Sequence, residues 1–139
     1  MRRIEEVPGF SETGFMARKI IGVIVGYLIF AISAGLLFQI VRRDPHAPTS
    51  ISFMLVSFVY GAAFAALGGY VASTIARSGN LTQAIALAIV IALGATISIL
   101  SQPGKGVIWS QLGAIFIMAP SALIGGWFKL RRRVVSPAR

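Results

Sequence analysis

The sequence contains no cysteine, which excludes disulfide bridges, thiolate metal sites and cysteine nucleophiles. Charged residues are also scarce: they make up 12% of the chain, about half of the roughly 25% found in soluble domains. Hydrophobic residues make up 56% of the 139 residues. Because so few polar residues cannot cover the surface of a soluble globule, the composition indicates a protein that lies in a membrane.

Four long apolar runs account for most of the chain, at about residues 20–41, 51–76, 81–101 and 107–128. Each run has about 20 or more residues, the length at which an α-helix crosses the ~30 Å hydrocarbon core of a bilayer. The runs are continuously apolar rather than alternating, which argues against barrel strands, and backbone groups in lipid need the internal hydrogen bonds of a helix. The sequence therefore predicts an all-α fold: one polytopic membrane domain (residues 1–139), a four-transmembrane-helix bundle.

The basic residues predict an orientation, because four spans place both termini and the middle loop on one side. That side carries ten of the thirteen Lys and Arg: Arg2, Arg3, Arg18, Lys19, Arg77, Lys129, Arg131, Arg132, Arg133 and Arg139. The other side carries Arg42, Arg43 and Lys105. The positive-inside rule then predicts cytoplasmic termini. Residues 1–19 become a cytoplasmic arm, either flexible or docked on a partner, and residues 129–139 a basic cytoplasmic tail.

Five residues of the fourth run and its tail are predicted to anchor the protein at the membrane boundaries. Trp109 and Trp127 lie ~27 Å apart on a continuous helix, close to the hydrocarbon thickness, and tryptophan is enriched at both interfaces. The tail residues Arg131, Arg132 and Arg133 follow the run directly. Such a cluster favours anionic lipid headgroups by ~1 kcal/mol per charge, so the expected partners include the bilayer and anionic headgroups at the cytoplasmic face.

Small residues recur at four-residue spacing and form faces on which helices approach closely. The packing candidates are Gly22, Gly26, Gly61, Ala65, Gly69, Ser73, Ala88, Ala92 and Gly126. In the fourth run, the same spacing joins Ser110 to Ala114 and Ala122 to Gly126. The simpler interpretation is that these faces hold the four helices of one chain together. The alternative is that the face of the second helix docks on another subunit.

Pro120, past the middle of the fourth run, is a hinge candidate. Proline removes one backbone donor and kinks a helix, so the carbonyl of Phe116 loses its partner and Ser121 or a water molecule compensates. A gating hinge and a static kink are both compatible with this position.

The sequence has no constellation that predicts catalysis. No ionisable residue lies inside a predicted span, where coupled carriers usually need one. Asp44 and His46 share the loop after the first run, but two ligands do not make a structural zinc site, which usually takes four. We therefore expect no enzyme, no cofactor and no metal, and His46 in a solvated turn. The net charge of +9 lies at the ends of the runs rather than on a face that binds nucleic acid, so no nucleic-acid partner is expected.

Residues 64–76, together with the loop segment 43–48, resemble one hairpin of small, uncharacterised bacterial four-span integral membrane proteins. The resemblance implies a multi-pass protein of the bacterial inner membrane. It implies no activity, because none is assigned to those proteins.

These features lead to three functional hypotheses. The first is an accessory or structural subunit, or a homo-oligomer, that acts through helix–helix contacts with other membrane subunits or copies of itself. The alternative is a passive channel or facilitator for a small solute, which requires no charge inside the membrane. The third is a lipid-interacting protein.

Overall fold

The computed structural model describes residues 10–101 and 107–135, and every regular element within them is helical. In chain order the elements are α1 (Phe10–Val41), α2 (Ile51–Ile75), α3 (Thr82–Ser101), α4 (Trp109–Gly113), a π-helical segment (Ala114–Met118) and α5 (Ala119–Val135). The last three form one continuous fourth span. Four helices are thus long and apolar enough to cross a membrane, which confirms the predicted all-α four-helix bundle.

Two helices extend further than the hydrophobic runs predict. Helix α1 begins at Phe10, ten residues before the predicted start of its span, so the second half of the predicted N-terminal arm is helical. Helix α5 continues through the basic cluster to Val135. Hydropathy marks only the part of a helix that meets hydrocarbon, and both ends continue beyond it. The first nine residues of the arm and the last four of the tail lie outside the described residues.

The first connection is fixed by local backbone chemistry. Helix α1 ends in a Schellman motif, in which Arg43 N–H donates to the Phe38 carbonyl and Arg42 N–H to the Gln39 carbonyl, both at 3.1 Å. Arg42 adopts the left-handed conformation that this motif requires, with φ of 51°. Ser50 caps the start of α2 by accepting a hydrogen bond from Phe53 N–H at 3.4 Å.

The two ends of the bundle are packed differently, and we name them by their contents. The basic end contains the start of α1, the α2–α3 turn and the end of α5, and the loop end contains residues 42–50. Toward the basic end the helices meet backbone to backbone. A Cβ atom built on Gly22 would lie 2.7 Å from the Ala72 carbonyl oxygen, and one built on Gly26 would lie 2.7 Å from that of Gly68. Helices α1 and α2 therefore leave no room for a side chain at these contacts unless the helices move apart.

Helix α2 makes the same kind of contact with the fourth span. Gly69 faces the Ala122 carbonyl, and Gly125 faces the Ala66 carbonyl, at distances that leave no room for a Cβ atom. The core beside these contacts is apolar and consists of Ala65, Ala72, Leu87, Ile91, Met118, Ala119 and Ala122.

The predicted packing residues therefore meet within one chain. Seven of the nine are buried: Gly22, Gly26, Gly61, Ala65, Gly69, Ser73 and Gly126. The four of them on α2 form a face that lies against the fourth span. Gly61 contacts Met118 there, and Ser73 lies beside Gly126. The other two, Ala88 and Ala92 on α3, are half-buried.

Candidate functional site: a cavity at the loop end

The bundle opens toward the loop end around a cavity of about 180 Å³, to whose wall all four spans contribute. Most of the wall is aromatic or aliphatic, and its polar members are Ser57, Ser98, Ser110 and Gln111, with Tyr27 on the α1 side. No charged side chain of the described residues lines it. A dry cavity of ~150 Å³ in a protein core accommodates benzene, so this cavity has the size of one aromatic ring with a small substituent.

The π-helical segment shapes one wall of the cavity. Its widened turn is seen where the Ala119 N–H donates to the Ala114 carbonyl, five residues back. Gly113 and Met118, also five residues apart, are both buried, and the edge of the Phe58 ring packs against Gly113. π turns are rare in helices and occur often at functional sites.

Residues 44–47 lie at the loop end of the cavity, where Pro45 forms part of the wall, and they are tied to the start of the fourth span. Ser110 Oγ lies 2.9 Å from the Pro45 carbonyl, and the Trp109 indole N–H donates to the Ala47 carbonyl at 3.2 Å. Val107 N–H donates to the His46 carbonyl at 2.8 Å. These three contacts from residues 107–110 hold residues 44–47, which we call the cover, at the loop end of the cavity.

A polar network connects this cover to the cavity wall. The Gln111 side-chain Nε2 lies 2.6 Å from His46 Nε2, and the same nitrogen lies 3.5 Å from Ser98 Oγ. On its other side, His46 Nδ1 lies 3.4 Å from Asp44 Oδ1, which also accepts the His46 backbone N–H at 2.8 Å. With the amide in this orientation Gln111 donates to the ring, so Nδ1 carries the imidazole proton and faces the carboxylate.

Ser57 is the unusual polar residue of the cavity. Hydroxyls in membrane helices normally bond to a carbonyl of their own helix. The hydroxyls that do so here, at 2.7–2.8 Å, are those of Ser33, Thr74, Thr96, Ser101 and Ser121. Ser57 is only 3% exposed, and its Oγ has no hydrogen-bond partner among the described residues. The same is true of Ser73, but that residue lies in the close contact with Gly126 rather than on the cavity wall.

The prediction that Trp109 is an interface anchor is wrong. Its side chain is only 6% exposed and packs among three rings, Phe38, Phe53 and Phe58, with centroid distances of 5.8–6.3 Å. The spacing of residues along a run does not reveal which side of the helix faces lipid. Trp127 is 41% exposed, and the Arg131 guanidinium lies 4.2 Å from its ring centroid, a position that suits an anchor.

The loop also differs from its prediction, because His46 is half-buried on Gln111 rather than solvated. At Pro120 the helix is π-helical just before the proline, and the Ser121 hydroxyl donates to the Ile117 carbonyl rather than to that of Phe116. Pro120 itself is exposed on the outside of the bundle.

The sequence predicts Lys129 in the basic cytoplasmic tail, but its side chain packs into the bundle. Its side chain is 6% exposed, and its Nζ donates to the Ser78 carbonyl at 2.6 Å, which ties α5 to the α2–α3 turn. The neighbouring residues Arg131, Arg132 and Arg133 are exposed, as a headgroup contact requires.

Within residues 10–101 and 107–135, no group of three or more His, Asp or Glu side chains comes together as a possible metal site. The cavity with its loop cover is therefore the place in the described chain where polar groups converge in an apolar environment, which is the usual form of a small-molecule site. In comparison with known proteins, the chain matches no protein-family model, no curated protein and no solved structure.

Proposed function

We propose that this chain is a multi-pass protein of the bacterial inner membrane, with cytoplasmic termini, that binds a small neutral solute in the cavity at its loop end. The observation that carries the proposal is the Ser57 hydroxyl, which is buried at the cavity wall and has no hydrogen-bond partner in the part of the chain that the structure describes. An unsatisfied buried polar group costs ~1–3 kcal/mol, and a ligand that bonds to it recovers part of that cost. The excess of basic residues at one end supports the orientation.

The lining restricts the chemistry of the solute. A charged ligand would leave water for a wall without a counter-charge among the described residues, which is strongly unfavourable. The aromatic side chains Phe30, Phe38 and Trp109 favour a flat apolar body, whereas Ser57 and Gln111 favour one hydrogen-bonding substituent. The solute class is therefore a single-ring or similarly compact neutral molecule with a hydroxyl or carbonyl group.

Binding agrees better with the packing than conduction does. A solute that entered from the loop end would meet the backbone contacts of Gly26 with Gly68 and of Gly69 with Ala122. These contacts leave no space for a passage between α1 and α2 or between α2 and the fourth span. The facilitator hypothesis would therefore need a path on the α3 side or between copies, whereas a binding protein needs only the cavity.

Phenol and toluene provide the first test, because they differ by a hydroxyl in place of a methyl group. In a Trp127→Phe background, Trp109 is the remaining tryptophan and lies on the cavity wall, so its fluorescence reports binding in detergent micelles. We expect saturable quenching by phenol. In Ser57→Ala, we expect the phenol-to-toluene affinity ratio to fall about 2- to 12-fold, which corresponds to one net hydrogen bond of ~0.5–1.5 kcal/mol.

Two comparisons make this test specific. Partitioning into the micelle is the same for both proteins, so it cancels when their affinity ratios are compared. Ser121→Ala is the matched control, because that hydroxyl bonds to its own helix and does not line the cavity. Ala114→Leu, which fills the cavity, should abolish saturation. An unchanged ratio in Ser57→Ala, or saturation that survives in Ala114→Leu, contradicts the proposal.

A second candidate, a homo-oligomer that acts through helix–helix contacts, is favoured by a groove on the outside of the bundle between α3 and the fourth span. The half-buried Ala88 and Ala92 line it together with Pro120. These small side chains would let a helix of a second copy approach. Ala92→Leu should then reduce the oligomer fraction in native mass spectrometry, and Ala63→Leu on the exposed side of α2 should not. A monomeric wild-type protein would remove this candidate.

A further inference from the structure

A shallow groove at the basic end, far from the cavity, has the composition of an anion site. It lies between the C-terminal parts of α2 and α5 and is lined by Tyr70, Thr74, Lys129, Arg132 and Arg133. We call it the basic groove. Three of its five lining residues are cations, and they come from a single turn of α5.

The positive charge of the basic groove has no protein counter-charge within the described ranges. Their two carboxylates are Glu12 and Asp44. Asp44 lies at the loop end beside His46. Glu12 is in the first turn of α1, a helix that packs on α2 and α3 but not on α5. A bound anion would therefore bring charge neutralisation that the described part of the chain does not provide.

One cation of the groove is held in place by the fold. The buried Lys129 ammonium donates to the Ser78 carbonyl at 2.6 Å, and an ammonium has two further N–H donors. The Arg132 guanidinium lies 6.0 Å from the centroid of the Tyr70 ring, so it is oriented over α2 rather than directed away from the bundle. The groove is thus built from a fixed ammonium and an oriented guanidinium, and Arg133 adds a third charge.

Apolar residues continue the groove toward the middle of the bundle. Leu67 lies one helical turn before Tyr70, and Phe128 lies one turn before Arg132, on the loop-end side of each. Both side chains are exposed among the spans and would meet hydrocarbon in a bilayer. An anion with an attached acyl chain uses the cations and this apolar continuation together, whereas free phosphate uses the cations alone.

We propose that the basic groove binds the phosphate of an anionic phospholipid, with Lys129, Arg132 and Arg133 around the phosphate and the acyl chains along Leu67 and Phe128. The site is independent of the solute cavity. Charge-assisted hydrogen bonds to phosphate oxygens supply the headgroup affinity, and a bidentate Arg132 supplies its geometry. A zwitterionic lipid carries a compensating ammonium and binds more weakly.

Native mass spectrometry of the full-length protein in a neutral detergent tests this site by titration with short-chain phosphatidylglycerol, phosphatidylcholine or inorganic phosphate. We expect one phosphatidylglycerol to bind at least tenfold more tightly than phosphatidylcholine. Arg132→Gln should weaken it by tenfold or more. Arg131→Gln is the matched control. It removes the same charge from the neighbouring residue, whose guanidinium lies over the Trp127 ring. We expect a loss of about fivefold or less there, the size of a general surface attraction.

Each alternative outcome overturns the proposal in a different way. Equal losses in Arg132→Gln and Arg131→Gln mean a diffuse attraction of the tail without a site. Equal binding of both lipids means that the net negative charge of the lipid is not recognised, because both lipids carry a phosphate. Inorganic phosphate that displaces phosphatidylglycerol at equal concentration means a free-anion site. Arg132→Lys retains the charge and should restore at least part of the affinity, which distinguishes a lost contact from a misfolded variant.

Discussion

The close contact between α1 and α2 leads to a prediction whose magnitude follows from the structure. A Cβ atom on Gly26 would lie 2.7 Å from the Gly68 carbonyl oxygen and 3.1 Å from both the Ala72 Cβ and the Leu87 Cδ2. Carbon–oxygen contacts normally measure ~3.3–3.6 Å. In Gly26→Ala, α1 must therefore move away from α2 by about 0.6 Å or more, because the contact atom is a backbone oxygen that cannot rotate aside.

Overpacking of this kind costs ~1–3 kcal/mol. The change from glycine to alanine within a helix also returns ~0.5–1 kcal/mol, because alanine loses less conformational freedom on folding. We therefore expect Gly26→Ala to lower the free energy of unfolding by about 1 kcal/mol net.

Gly35 provides the matched control on the same helix. Nothing lies within 4 Å of a Cβ atom built there, and the position is exposed. Gly35→Ala gains the helix preference without the clash, so the difference between the two variants isolates the clash at ~1–3 kcal/mol.

Unfolding by sodium dodecyl sulfate in mixed micelles, followed by circular dichroism, gives both free energies on the same scale. If Gly26→Ala and Gly35→Ala agree within about 0.5 kcal/mol, the helices do not touch at Gly26. In that case α1 and α2 are not packed backbone to backbone toward the basic end.

The same unfolding assay and the phenol titration test three more expectations. Lys129→Met leaves a buried carbonyl of the α2–α3 turn without its donor and should lower the free energy of unfolding by ~1–3 kcal/mol. Arg131→Met, at an exposed position, should change it by no more than ~0.5 kcal/mol. Equal effects would mean that Lys129 is not buried in the bundle. Trp109→Phe keeps a ring but loses the hydrogen bond to the loop backbone, so exchange of the backbone amides of Asp44, His46 and Ala47 should accelerate. Unchanged exchange would mean that the indole does not hold the cover. Pro120→Ala should change phenol affinity by less than about twofold, because Pro120 faces the outside of the bundle; a larger loss would support the predicted hinge.

Hydropathy was sufficient to predict the fold, because lipid as a solvent leaves the helix as the solution for an uninterrupted apolar run of this length. The packing face of α2 could also be predicted, since Gly61, Ala65, Gly69 and Ser73 follow one another at the four-residue spacing of a regular helix. In the fourth span the same rule selected Ser110 and Ala114, which are only half-buried, whereas Gly113 is buried. The π-helical segment widens the spacing between buried residues to five, as between Gly113 and Met118, and the four-residue pattern did not predict it.

The cavity could not be predicted, because its polar groups are brought together by tertiary structure. His46 and Gln111 meet across 65 residues of chain, and neither has a neighbour in sequence that suggests the other. The one local signal was a serine, Ser57, near the start of the second apolar run, but most serines in such runs bond to their own helix. Only its position beside a wide part of the bundle distinguishes it from the others.

The difference in packing between the two ends has a mechanical consequence. Helices that meet through glycine and carbonyl groups, as at Gly26 and Gly69, have no side chains between them that can rearrange, so that half of the bundle behaves as a rigid clamp. Around the cavity the helices are separated by Phe30, Trp109 and Met118, whose torsions can adapt to the shape of a guest. A solute would be accommodated by bending at the open half while the clamped half stays fixed, so occupancy of the cavity should leave the basic groove unchanged. We therefore expect the two ligands to bind additively, each with the affinity that it has alone.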